Sequence, residues 1–193
     1  MKVIILLITA IYLFAVDTNK YDLLIYKNYR NNFIDTAMYS KYTWHIIKAQ
    51  VKQESRFDKN AVSYVGAGGL LQIMPGTAKE IKKKKGGLGD IFDPVTAISY
   101  GTYYDRKMYN IWSSKRTTKS RVDLMFASYN AGAGNILKSQ KACNNAVEYS
   151  EIIQCLHMIT GKYSVETKTY VDRINIYYNE FKHKNLTNTE KIR

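Results

Sequence analysis

In the stretch Val51 to Pro75, VKQESRFDKNAVSYVGAGGLLQIMP, a single acid stands between an apolar helical pattern and a glycine-rich turn. On a helix advancing about 100° per residue, Glu54 projects within about 20° of Ile47 and about 60° of Val51, so its carboxyl lies on the apolar stripe. A carboxyl group facing a core either finds a strong partner or stays protonated, because desolvation disfavours its charged form. A carboxylic acid still protonated near neutral pH is what general acid catalysis requires. The alternative is a structural glutamate paired with Arg56 or a nearby lysine, the ordinary fate of a glutamate at a helix end.

The residues that follow add to the catalytic reading. Gly66, Gly68 and Gly69 let the backbone pass close to a ligand or to another segment, and Gln72 supplies an amide that both donates and accepts. Neither the serine-nucleophile pattern G-x-S-x-G nor the phosphate loop G-x-x-x-x-G-K-[ST] occurs. What survives is chemistry that needs one acid and a shaped groove, and cleavage of a glycosidic bond is the obvious member. No second carboxylate pairs clearly with Glu54: Asp58 is too near in sequence to judge, while Asp90 and Asp93 read as turn and cap residues.

Other chemistries find little support. His45, His157 and His183 are scattered without ligand spacing, so neither a metal nor any other cofactor is expected. The cysteines, Cys143 and Cys155, either form a disulfide, as export would allow, or remain two buried thiols.

Several elements must position the acid. Tyr21 to Phe33 carries apolar residues at helical intervals, Tyr42 to Glu54 repeats the pattern with Trp44, Ile47 and Val51, and Asp58 to Gly69 reads as an irregular or short β segment. Gly76 to Lys85 predicts a helix with Thr77 as cap, ending at Gly86-Gly87. Asp93-Pro94 predicts an N-cap and first helical position, opening a helix to about Ile111. Val122, Met125, Phe126 and Tyr129 follow helical spacing and stop in AGAG, Ala131 to Gly134. Tyr149 to Leu156 and Tyr170 to Phe181 complete the helices, leaving a polar tail from residue 183 to 193. The expected fold class is mainly α, with a small irregular or β segment beside the active-site cleft.

The 193 residues suit one domain, here residues 42 to 182 behind a helical lead-in at 17 to 41. Lys and Arg outnumber Asp and Glu by 29 to 16, giving a net charge of +13 and attraction to polyanions without naming one. The run Lys82 to Lys85 reads as a solvated helix end that suits the helix dipole, and no nucleic-acid-binding motif accompanies it. Residues 1 to 16 hold one lysine and an apolar run from Val3 to Val16, interrupted only by Thr9. That is shorter than the roughly 20 residues of a membrane-spanning helix and matches an export signal. Ala15 could serve for cleavage, and an uncleaved anchor or a buried first helix are the alternatives.

The blocks ESRFDKNAVS, VGAGGLLQIMPGTA, IFDPVTAISYG, SYNAGAG and VETKTYV resemble, in order, the motifs of the soluble lytic transglycosylase (SLT) family, of lysozyme-like fold. Together they cover roughly Tyr42 to Tyr178. The resemblance implies cleavage of the β-1,4 bond between N-acetylmuramic acid and N-acetylglucosamine in peptidoglycan, leaving a 1,6-anhydro end. It makes Glu54 the catalytic acid and then base, and Ser55 a residue orienting groups near the scissile sugar. Gln72 and Met74 match the family's groove-lining GLMQIMP block, Tyr129 and Asn130 its AYN block, and Glu166 and Tyr170 its ET-x-x-YV block. Core packing for Tyr129 and helix capping or surface charge for the last pair are the plainer roles. The chain departs from the family at Leu71 for methionine, Lys59 for proline, Ala97 for asparagine and Ser128 for alanine.

The resemblance also implies an exported protein of the periplasm or cell envelope, or one carried by a virion, with peptidoglycan strands as its partner. A secretion, conjugation or phage apparatus is an alternative further partner, and membrane contact would come only through an uncleaved N-terminus. A lysozyme-type hydrolase, a non-catalytic wall-binding module and a nucleic-acid binder are the competing readings.

Overall fold

A computed structural model describes residues 17–87 and 89–190, with side chains through Lys184. The apolar N-terminal run read as an export signal or anchor, residues 1–16, lies outside the described residues. Helix α1 (Asp22–Phe33) buries Ile25, Tyr29 and Phe33, one per turn, and the short α2 (Ala37–Lys41) is capped by the Thr36 hydroxyl. The Tyr29 hydroxyl donates to the Tyr42 carbonyl at 2.7 Å, which fixes the lead-in at the entry to α3 (His45–Ser55). Ile46, Ile47, Ala49 and Val51 of α3 are fully buried, so this helix runs through the core.

Between α3 and the next helix the chain makes only isolated antiparallel bridges, Val62 to Gly68 and Gly68 to Ile73. Helix α4 (Pro75–Lys85) starts at its proline, and Met74 rather than Thr77 occupies the cap position. A proline at the first turn needs no side-chain cap to begin a helix, since its backbone lacks one of the donors a cap would satisfy. Helix α5 (Pro94–Ile111) opens as its sequence indicates, the Asp93 carboxylate accepting from the Thr96 amide at 2.8 Å. Gly101 lets α5 lie flush on the β segment: a Cβ there would sit 2.2 Å from Leu71 Cδ1.

Helix α6 (Thr118–Ala131) ends at Gly132, whose φ of +82° turns the chain sharply. The AGAG motif therefore marks a corner rather than an exit, because α7 (Ala133–Ala142) begins at once, with the Gly132 carbonyl accepting from the Asn135 amide. The expected helix Tyr149 to Leu156 is divided into α8 (Tyr149–Ile152), a 3-10 turn (Ile153–Cys155) and α9 (Leu156–Thr160). A disulfide joins Cys143 to Cys155 across this region, holding the end of α7 to the turn. Helix α10 (Tyr163–Glu190) starts seven residues before Tyr170, directly after the corner at Gly161, and runs through the sequence from His183 to Glu190.

Helix α10 packs along α3, while α5 packs against α1 and α6. The fold is mainly α. One buried cation ties its start to its centre: Lys48 of α3, almost wholly enclosed, donates to Asn19 at 2.8 Å and lies 2.7 Å from the Asp22 carboxylate.

Candidate active site

Glu54 sits in the last turn of α3, where the helix gives way to two consecutive non-glycine residues in the left-handed region, Arg56 at φ +53° and Phe57 at φ +67°. Such backbone is costly for residues with a Cβ, and buried Phe57 packing edge-on against Phe181 helps hold it. The glutamate residue is half-buried. Tyr170, on α10, donates its hydroxyl to Glu54 Oε1 at 2.5 Å. Among the described residues Glu54 forms no ion pair, so the reading as a structural glutamate bound to Arg56 or a lysine has no support in the structure.

The electrostatics follow from that placement. Burial is the dominant influence on Glu54 and pushes its pKa up to about 8. The hydrogen bond from Tyr170 opposes the rise, and the negative charge of Glu166 adds to it. Desolvation penalises only the charged form, so the protonated form, a proton donor, is favoured at neutrality.

Behind the Glu54–Tyr170 pair lies a second polar layer. Gln50, one turn before Glu54 on α3 and fully buried, donates from Nε2 to Asp105 Oδ1 of α5 at 3.1 Å and to the Tyr170 hydroxyl at 3.4 Å. Asp105 is also fully buried, and desolvation holds its carboxyl well above the usual carboxylate range. Sequence reasoning missed both residues. The available signal was a polar residue on the stripe of each helix: Gln50 precedes Glu54 by four positions, and Asp105 follows Gly101 by four.

The other site residues divide by surroundings. Asn130 Oδ1 accepts from the Thr167 hydroxyl at 2.7 Å. Asn130, Thr167 and exposed Glu166 line one cleft of about 510 Å³ together with Tyr163 and Asn135. Tyr129 turns its hydroxyl to the Leu71 carbonyl at 2.7 Å rather than to Glu54, tying α6 to the β segment. Both hydrogens of Gln72 Nε2 go to backbone carbonyls, Ala61 and Gly69, each at 3.0 Å, so Gln72 offers a ligand its amide oxygen. Met74 is exposed at the start of α4. Ser55 is buried and donates to the Val51 carbonyl within its own helix.

The glycines support a segment rather than a ligand. A Cβ at Gly68 would meet the Phe92 ring at 2.8 Å, and one at Gly69 would lie 1.9 Å from the Ile91 carbonyl oxygen, while Gly66 faces open space. Two departures from the family pattern have a local rationale. Leu71 is fully buried against Gly101, and buried Ser128 accepts from the Trp112 indole at 2.9 Å, satisfying a donor that an alanine would leave bare.

Comparison with known proteins bears on the family and the fold. Residues 31–152 match the family described as Transglycosylase SLT domain. The membrane-bound lytic murein transglycosylase F of Desulfosudis oleivorans is 28% identical over 158 residues, covering 74% of this chain and 34% of that protein. The soluble lytic murein transglycosylase of Salmonella typhimurium is 33% identical over 143 residues, covering 70% of this chain and 20% of that protein. The crystal structure of the 70 kDa soluble lytic transglycosylase of Escherichia coli superposes with a TM-score of 0.65 at 26% identity, over 84% of this chain and 24% of that one. The chain thus spans between a fifth and about a third of the length of these relatives.

Proposed function

Because this chain belongs to the transglycosylase SLT domain family, we propose that it is a peptidoglycan lytic transglycosylase, cleaving the β-1,4 bond between N-acetylmuramic acid and N-acetylglucosamine. The observation that carries the reading is Glu54, a half-buried acid held protonated to about pH 8 and oriented by the Tyr170 hydroxyl. Protonated Glu54 donates to the bridging oxygen as the bond from C1 breaks, releasing the N-acetylglucosamine hydroxyl. The resulting carboxylate accepts the proton of the muramyl 6-hydroxyl as that oxygen attacks C1, closing the 1,6-anhydro ring and returning Glu54 to its protonated state. One carboxyl serves both steps, and no water is consumed.

The remaining parts of the proposal concern place and partners. The protein acts outside the cytoplasm, in the periplasm or envelope. The N-terminal apolar run supports this, as does the disulfide between Cys143 and Cys155, a bond favoured in oxidising compartments. Its net charge of +13 favours adsorption to an anionic wall. The reading extends to local cutting in the service of a secretion, conjugation or phage apparatus.

Digestion of purified sacculi followed by mass spectrometry tests the chemistry. Products lighter by one water than ordinary muropeptides are expected. Reducing ends alone would assign a lysozyme-type hydrolase instead, and binding to sacculi with no release would assign a non-catalytic module.

A further inference from the structure

The proposed reaction uses Glu54 and gives no task to Asp105, although an acid enclosed in a protein core is costly unless something there requires it. The hydrogen bonds around it are informative. Gln50 Nε2 donates one hydrogen to Asp105 Oδ1 at 3.1 Å and approaches the Tyr170 hydroxyl with the other at 3.4 Å, and Tyr170 passes its own hydrogen to Glu54 Oε1 at 2.5 Å. Two buried oxygens in this group have no donor: Gln50 Oε1 and Asp105 Oδ2. They belong to the two residues already joined through their other polar atoms.

A single proton resolves both vacancies. Placed on Asp105 Oδ2 and shared with Gln50 Oε1, it would close an acid–amide ring in which each residue donates once and accepts once. An ionised Asp105 would instead leave both oxygens bare and a charge uncompensated in the core. No cation answers that charge among the described residues: the neighbouring Arg106 and Lys107 of α5 pair outward with Asp35 and Glu80. The titratable groups that face Asp105 are Glu54 of α3, Tyr104 on its own helix, Tyr129 of α6 and Tyr170 of α10, none of which is positive.

We propose that Asp105 is a neutral acid which, locked to Gln50, forms a positioning pair that holds the Tyr170 hydroxyl on Glu54. The pair touches neither substrate nor the reacting atoms. It fixes the amide of Gln50, the amide fixes the phenol oxygen, and the phenol sets where the Glu54 proton lies and how firmly it is held. Desolvation, the dominant influence on the Asp105 carboxyl, favours the same neutral form.

Two variants and two measurements test this, and only the second measurement rests on the transglycosylase reading. Asp105→Asn preserves the ring, its amide hydrogen replacing the acid proton. The double variant Gln50→Leu/Asp105→Leu fills the same space with apolar groups and leaves no buried polar atom unpaired within the former ring, so it is expected to fold. Carboxyl carbon NMR on the full chain should show Asp105 still protonated where an ordinary aspartate has already ionised. It should also show the Glu54 midpoint moved by about one unit in the double variant and kept in Asp105→Asn. Sacculus cleavage should fall about tenfold in the double variant, its pH profile displaced, and be restored in Asp105→Asn.

An Asp105 that titrates near the ordinary aspartate value, an Asp105→Asn protein displaced as far as the double variant, or a double variant matching the wild type in both readouts would each overturn the proposal. Should the double variant not fold, the Asp105 titration and the Asp105→Asn midpoint still decide. If the wild type itself releases no product, the transglycosylase reading falls, while the NMR arm continues to decide the role of the pair.

Discussion

The Tyr170 hydroxyl meets Glu54 Oε1 at 2.5 Å across 116 residues of chain. This one contact joins the end of α3 to the second turn of α10, and the long packing of those helices is what makes it reproducible.

Glu54→Gln should abolish sacculus cleavage and stabilise the protein. The folded-state pKa of Glu54 is raised from 4.5 to about 8, so the folded protein binds more protons than the unfolded chain between those values. Its contribution is neutral below about pH 4, becomes steadily unfavourable as pH rises, and levels off above about pH 8. Denaturation curves should show the variant more stable by about 1–3 kcal/mol at pH 8, with the gap closing toward pH 4.

For the wild type, cleavage should decline as pH rises through about 8, where Glu54 loses the proton it must donate. Tyr170→Phe removes the hydrogen bond that favours the ionised form, so this alkaline limb should move upward. The rate at neutral pH should fall about tenfold as the carboxyl loses its orientation. A pH–rate profile of both proteins checks the pair of effects.

Gly69→Ala and Gly66→Ala should separate. Both glycines have positive φ, but only at Gly69 does the new methyl strike backbone, the Ile91 carbonyl. Chemical denaturation should show a loss of about 1 kcal/mol at position 66 and more than about 3 kcal/mol at position 69.

Ser128→Ala should cost about 1–2 kcal/mol, because the buried Trp112 indole nitrogen loses its acceptor. The site itself is untouched, so the drop should appear in thermal unfolding and not in the pH profile of cleavage.

The parts of the site that were legible in sequence are those written into a single helix. Glu54 on the stripe of Ile47 and Val51 is visible because one face of α3 is apolar, and Asp93-Pro94 announces α5 because a cap and its proline are local signals. The pairing of Gln50 with Asp105 was illegible for the opposite reason: each is only a polar residue on its own helix stripe until α3 and α5 bring them together from 55 positions apart. Helix α7 was hidden because a glycine corner needs only one residue, Gly132, and α8 separates from α9 where a 3-10 turn and the disulfide intervene. Tyr129 shows the limit in another way, since nothing local reveals that its hydroxyl turns to Leu71.

Lys48 shares its helix with Glu54 and grips Asn19 and Asp22. A tether attached just ahead of Asn19 would therefore lie close to the helix that carries Glu54, since each extended residue adds at most roughly 3.6 Å of chain. A tether at that point would confine cleavage to glycan lying within one molecular diameter of the attachment, and breaking the Lys48 clasp would lengthen the reach before it altered the blade.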